Sequence, residues 1–169
     1  MLSLEESLKI LKETNALLEG HFILSSGLHS PQYVQCAKLM SKPEKAHKIC
    51  ASLSEKIINE FKDFDLVLSP AIGGIVIGYE IGRLLKKETI FSERVDGKFV
   101  LRRDFLIKKN QRVVIVEDVI TTGKSSLECS NIIQKMGGKI VGYACIIDRS
   151  NGKSLIKDKI VSQVQLSIP

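Results

Sequence analysis

Val113-Val114-Ile115-Val116 is four β-branched residues in succession, and it runs straight into two acids, Glu117 and Asp118. β-branched side chains favour extended backbone. A run that is apolar at every position, not at alternate ones, suits a strand covered on both faces. That leaves few architectures open, chiefly a parallel sheet with helices packed on each side. The rest of the chain fits this demand. Asp65 to Ser69 and Ile140 to Ile147 read as further buried strands, and helical patterns lie between them. Ser3-Leu4-Glu5-Glu6 has the form of a capping box and opens a first amphipathic helix marked by Leu4, Leu8, Leu11 and Leu18. Pro43 suits the first turn of a second helix, with Ala46, Ile49, Cys50, Leu53, Ile57 and Phe61 on its apolar face. Ile75 to Leu85 reads as a third, and Lys124 to Met136, closed by Gly137-Gly138, as a fourth. Thr89 to Val95 and Phe99 to Leu106 read as two strands around Asp96-Gly97, a hairpin that interrupts the alternation. The expectation is one α/β domain over residues 1–169 with a doubly wound, mainly parallel sheet. An N-terminal segment covers about 1–40, and the core covers about 41–169 with the hairpin at 89–106.

Composition narrows the function classes. No apolar run approaches the roughly 20 residues of a bilayer span, and Met1 to Leu18 alternates charges with leucines, unlike a signal peptide. No membrane association and a cytoplasmic location are expected. Cys36, Cys50, Cys129 and Cys145 are too far apart for zinc or dithiol pairs and are expected to be reduced and buried. The net charge of +6 suits either nucleic acid or a small substrate rich in phosphate and carboxylate. The basic residues are scattered and no aromatic-rich stacking run accompanies them, so nucleic-acid binding is not expected.

In a doubly wound sheet ligands bind beyond the carboxyl ends of the strands, and three such ends carry chemistry. At the first, Glu117 and Asp118 close a buried strand, where a pair of acids is costly unless it meets water, a cation or hydroxyl groups. Thr121, Thr122, Gly123, Lys124 and Ser125 follow, supplying hydroxyls and backbone N–H groups at a helix start, where an anion is favoured. Acids beside a phosphate cradle suit a ribose phosphate. Gly123-Lys124-Ser125 resembles the end of a Walker A loop, but the first glycine of that loop would fall on Asp118, whose charge repels phosphate. At the second end, Ala71, Ile72, Gly73 and Gly74 let backbone amides approach a bound group such as pyrophosphate.

The stretch Val113 to Ser126 resembles the phosphoribosyl-pyrophosphate-binding motif of the type I phosphoribosyltransferases. The resemblance implies that Glu117 and Asp118 contact the ribose hydroxyls, directly or through Mg²⁺, and that Thr121 to Ser125 hold the ribose phosphate. It also implies a pyrophosphate loop at Ala71 to Gly74, although many orotate enzymes carry a lysine where this chain has Gly73. Glu19 to Gln35, with Ser26-Gly27, Ser30-Pro31 and Tyr33, resembles the base-binding hood of the orotate phosphoribosyltransferases, in their short bacterial branch. Ser26, Gly27, Tyr33, Thr121 and Arg149 are then the expected orotate contacts, with Arg149, at the third strand end, clamping the carboxylate through two parallel hydrogen bonds. Ser25 stands where longer relatives often have a substrate-binding lysine.

Longer orotate enzymes also carry a mobile loop with a catalytic lysine and histidine that reaches into the partner of a dimer. This chain lacks that pattern. Arg94 and Lys98, in a hairpin that also holds Arg102 and Arg103, are the expected catalytic cations beside Asp118, and a homodimer is implied. Relatives of this branch continue past the final strand, so the stop at Pro169 points to a truncated or unusually short form. The activity implied is transfer of ribose phosphate from phosphoribosyl pyrophosphate to orotate, with Mg²⁺. A transferase for another base, or a nucleotide-binding regulator on the same fold, are the alternatives.

Overall fold

The computed structural model describes residues 1–167, so the terminus at Pro169 lies outside the described residues. Six strands form the main sheet: β3 (Leu66–Pro70), β4 (Glu88–Val95), β5 (Lys98–Leu101), β6 (Arg112–Ile120), β7 (Lys139–Asp148) and β8 (Ile160–Gln165). Their spatial order is β5-β4-β3-β6-β7-β8, and every pairing is parallel except that of β4 with β5. A separate antiparallel pair, β1 (Leu17–Ile23) and β2 (His29–Val34), forms the hood. The helices are α1 (Leu4–Glu13), α2 (Cys36–Met40), α3 (Pro43–Glu60), α4 (Gly73–Leu85) and α5 (Lys124–Lys135).

The continuous apolar run of β6 is explained by its two faces. Val114 and Val116 enter the core shared with α1, α3 and α4, while Val113 and Ile115 enter the core shared with α5. All four are fully buried, each contributing about 1.5–3 kcal/mol through loss of apolar surface to water. The doubly wound parallel sheet is therefore as expected. The capping box is also present: Glu6 N–H donates to Ser3 Oγ and Ser3 N–H to Glu6 Oε1, both at 3.1 Å. At the hairpin tip Asp96 and Gly97 take φ values of 52° and 80°, the pair of positive angles that a two-residue turn between twisted strands requires. All four cysteines are free and buried. Among the described residues no helix is long and apolar enough to cross a membrane.

Three local expectations are corrected, and one strand is added. Leu18 belongs to β1 and not to α1, because Asn15 turns the chain with φ 61° just past the helix end. The second hairpin strand ends at Leu101 and not at Leu106. Arg103 and Asp104 take positive φ there, and the turn brings Phe105 back onto Phe91 with ring centroids 5.3 Å apart. Helix α4 begins at Gly73, two residues earlier than the apolar pattern starts, so the paired glycines form its first turn. Strand β8 adds an edge the pattern did not announce, since its buried Gln163 looks polar in sequence. That side chain donates from Nε2 to Ser7 Oγ at 2.9 Å, while its buried Oε1 has no partner among the described residues.

Gly142 in β7 lies against the ring of Phe61, the residue capping the end of α3, with no room for a Cβ between them. Gly142→Ala is expected to cost about 1–3 kcal/mol by overpacking, measured by urea denaturation. Adding Phe61→Leu to it should restore part of the loss.

Candidate active site

Strands β3 and β6 pair only as far as Leu68 and Ile115. Beyond that point β3 continues beside β4 to the Pro70–Ser92 pair, and β6 continues beside β7 to the Ile120–Asp148 pair. The two centre strands thus separate just where α4 leaves one face of the sheet and α5 the other. This is the topological switch point at which open α/β sheets hold ligands. Both Ala71 to Gly74 and the Glu117-Asp118 pair stand at it.

Strand alternation sends the two acids to opposite faces. Glu117 turns toward α5, where Ser126 Oγ donates to its Oε2 at 2.6 Å. Burial pushes the Glu117 carboxyl up to about 7; the Ser126 hydrogen bond opposes this, and the nearby Asp118 charge adds to it. Asp118 turns toward α4. A Cβ built at Gly73 would stand 2.7 Å from Asp118 Oδ2, so the loop backbone and this carboxylate are in direct apposition. Burial also raises the Asp118 carboxyl, against the Val119 N–H that donates to Oδ1 at 2.8 Å. A buried and a half-buried carboxylate without a basic side chain on either among the described residues are unfavourable for folding alone and point to a ligand that offsets the cost.

The turn after β6 is held by a distant loop. Gly123 has φ 87° and would, with a Cβ, stand 2.8 Å from Ser154 Oγ and 2.9 Å from Ile156 Cγ1. Leu155 N–H donates to the Thr122 carbonyl at 2.8 Å, and Arg149 N–H to the Ile120 carbonyl at 2.9 Å. Thr122 Oγ1 accepts from Lys124 N–H at 3.2 Å. Thr121, Thr122 and Lys124 are exposed and Ser125 is half-buried. No side chain caps the N-terminus of α5 or of α4, so the positive ends of two helix dipoles flank the crevice. The peptide between Ala71 and Ile72 is cis, and Ala71 N–H donates to the Ser92 carbonyl at 2.7 Å.

The hood meets this centre at its base. Cys36, which opens α2 just after β2, is buried, and the Asp118 carboxylate adds to that burial in raising its thiol. Ser26 and Gly27 form the exposed hood turn, with Gly27 at φ 84° donating its N–H to the Leu24 carbonyl. Tyr33 is part-exposed, its ring centroid 5.7 Å from that of Phe22. His21 and His29 share a 2.7 Å hydrogen bond between ring nitrogens. Arg149 follows directly on β7; the neighbouring Asp148 carboxylate accepts from Ser150 N–H.

The hairpin cations are placed differently. Arg94 makes two hydrogen bonds to the Glu128 carboxylate of α5, at 3.1 and 3.2 Å, donates to the Gly97 carbonyl at 2.9 Å and lies over the Phe99 ring. Lys98 is exposed at the start of β5. Arg103 is engaged by Glu93. The partners of Arg94 are therefore not the two acids. Sequence reasoning did not single out Ser126, Cys36, or the loop carrying Ser154 and Ile156. A serine inside a helix and a loop thirty residues downstream carry no chemical signal until the fold brings them in.

Buried Glu117 and half-buried Asp118 stand between two helix N-termini at the switch point of an α/β sheet, the place where such sheets hold ligands. Residues 40–168 match the phosphoribosyl transferase domain, and the chain belongs to that family. An orotate phosphoribosyltransferase from Parvibaculum lavamentivorans is 48% identical over 166 residues, covering 98% of this chain and 86% of that protein. By that kinship the chain falls among the orotate phosphoribosyltransferases. The crystal structure of orotate phosphoribosyltransferase from Aeropyrum pernix superposes with a TM-score of 0.80 at 24% identity, covering 94% of this chain and 92% of that one. Adenine phosphoribosyltransferase from Thermoanaerobacter pseudethanolicus superposes with a TM-score of 0.75 at 17% identity, over 92% and 99%. Fold likeness spans both bases; only the sequence kinship discriminates between them.

Proposed function

We propose that this chain transfers ribose phosphate from phosphoribosyl pyrophosphate to orotate, giving orotidine monophosphate and pyrophosphate for UMP synthesis, as a cytoplasmic homodimer. The observation that carries the reading is the acid pair of buried Glu117 and half-buried Asp118, without a basic partner among the described residues, at the mouth of a crevice flanked by two helix N-termini. Glu117 and Asp118 take the ribose hydroxyls. Thr121, Thr122, Gly123, Lys124 and Ser125 hold the 5′-phosphate, and Ala71, Ile72, Gly73 and Gly74 the pyrophosphate. Ser26, Gly27, Tyr33, Thr121 and Arg149 hold orotate. Gly73 puts no side chain against Asp118 and Ile72 is exposed, so the anion contacts assigned to this loop come from backbone N–H groups.

Mg²⁺ fits the donor set. Among the described residues no cluster of three or more acidic, histidine or cysteine side chains would hold a metal alone, so the ion would arrive with the donor's oxygens and meet Glu117 and Asp118 through hydroxyls or water. Bound there, it supplies neutralisation of pyrophosphate charge. The chain's own work is to hold the ribose carbon in line with the attacking ring nitrogen and to keep water out, because water in that place would hydrolyse the activated sugar. Asp118, Arg94 and Lys98 are assigned to the chemical step, with the two cations stabilising the departing pyrophosphate. For that, Arg94 must exchange Glu128 for the leaving group.

The test is the absorbance change of orotate with phosphoribosyl pyrophosphate and Mg²⁺, set against adenine, guanine, hypoxanthine and uracil. Orotate alone should turn over. Arg149→Ala should raise the KM for orotate by about 10²-fold, the scale of a lost charge-assisted pair, with the donor's KM little changed. Turnover of another base, or donor binding without any turnover, would refute the assignment.

A further inference from the structure

Ser126 lies in the first turn and a half of α5 and is fully buried. Helical serines often bond their hydroxyl to a carbonyl one turn back, as Ser130 does to Leu127 at 2.8 Å. Ser126 instead reaches across to β6 and donates to Glu117 Oε2 at 2.6 Å, the length of a charge-assisted O–H···O bond. It engages one carboxylate oxygen, and no hydrogen bond holds the other, Oε1, among the described residues. We infer that Ser126 is a positioning residue for the transfer reaction, locking the Glu117 side chain so that its second oxygen is presented to the ribose hydroxyls of the donor. The inference rests on the reading of Glu117 as a ribose ligand.

The physical reason is preorganisation. A glutamate side chain has three free torsions, and fixing them only when the donor binds weakens that binding. Ser126 is held by α5, whose start also forms the phosphate turn, so one rigid element sets both the phosphate position and the Glu117 rotamer. Cys129, one turn further along α5, is itself held at 3.3 Å by Ser92 of β4, which keeps this stretch of helix in register with the sheet.

The experiment is a double-mutant cycle read by titration calorimetry of phosphoribosyl pyrophosphate with Mg²⁺, alongside kcat and the KM for each substrate. Ser126→Ala should weaken donor binding and raise the donor's KM about 10-fold, with the KM for orotate unchanged. In a Glu117→Ala background the same substitution should have no further effect on donor binding, because its partner is gone. Wild-type protein that fails to bind the donor would overturn the reading of the site and the inference with it. Donor binding by wild type, together with equal binding by Ser126→Ala or losses that simply add to those of Glu117→Ala, would overturn the role of Ser126 alone. Should Ser126→Ala not fold, Ser126→Cys keeps the shape with a much weaker donor and is read the same way.

Discussion

Glu117→Gln is expected to raise the unfolding temperature of the ligand-free protein at pH 8, to leave it nearly unchanged at pH 4, and to lower kcat/KM by about 10²–10³-fold. Burial holds the Glu117 carboxyl at about 7, above its ordinary 4.5. Below 4.5 both folded and unfolded chains carry the proton and the group costs nothing. Between 4.5 and about 7 the folded chain keeps a proton that the unfolded chain has released, so stability falls as pH rises. Above that window the full cost applies, about 3 kcal/mol on the scale of 1.36 kcal/mol per unit. Glutamine has the same shape, can still accept from Ser126, and never ionises. Its gain at pH 8 corresponds to roughly 6–12 °C for a domain of this size. The activity lost in exchange is the charge that the ribose hydroxyls require, so stability and function move in opposite directions at one residue. Differential scanning calorimetry at the two pH values checks the first half and steady-state kinetics the second. An equal gain at both pH values would mean that packing, not charge, limits the site.

Gly123→Ala should be severe for two separable reasons. Its φ of 87° is a conformation that an alanine adopts at a cost of about 1–2 kcal/mol. The added Cβ also meets Ser154 and Ile156 below 3 Å, where overpacking adds about 1–3 kcal/mol. Gly152, at φ 72° with nothing within 4 Å of a built Cβ, measures the first cost alone, so the difference between the two alanine variants isolates the second. Since the loop displaced by Gly123→Ala begins at Arg149, kcat/KM should fall for both substrates, whereas Gly152→Ala should spare it. Chemical denaturation of the two variants gives the comparison. Equal losses would mean that the 149–156 loop does not brace the turn.

These residues also mark how far the chain could be read before folding. The β-branched run of β6, the caps of α1 and the Asp96-Gly97 turn announce themselves because each follows from local backbone preference or a fixed periodicity. The Glu117-Asp118 pair and the turn after it were visible because acids after a buried strand conflict with burial, and that conflict sets a candidate site apart. Leu18 and the residues after Leu101 were misread for the opposite reason. An apolar residue continues a helix or starts a strand equally well until a positive-φ residue such as Asn15 or Arg103 redirects the chain. Strand β8 escaped notice because Gln163 reads as polar, and the partner of its Nε2, Ser7, lies 156 positions away.

What the sequence determined by itself was therefore the layered α/β architecture, the acid pair and the turn that follows it, since local propensity, period and charge are properties of neighbouring residues. Only the tertiary structure decided that Glu117 faces Ser126 while Asp118 faces Gly73, that Gly123 is wedged under Ser154 and Ile156, and that Arg94 is held by Glu128. Each of those joins elements distant in the chain, and such contacts depend on how the strands are ordered and which face each side chain takes.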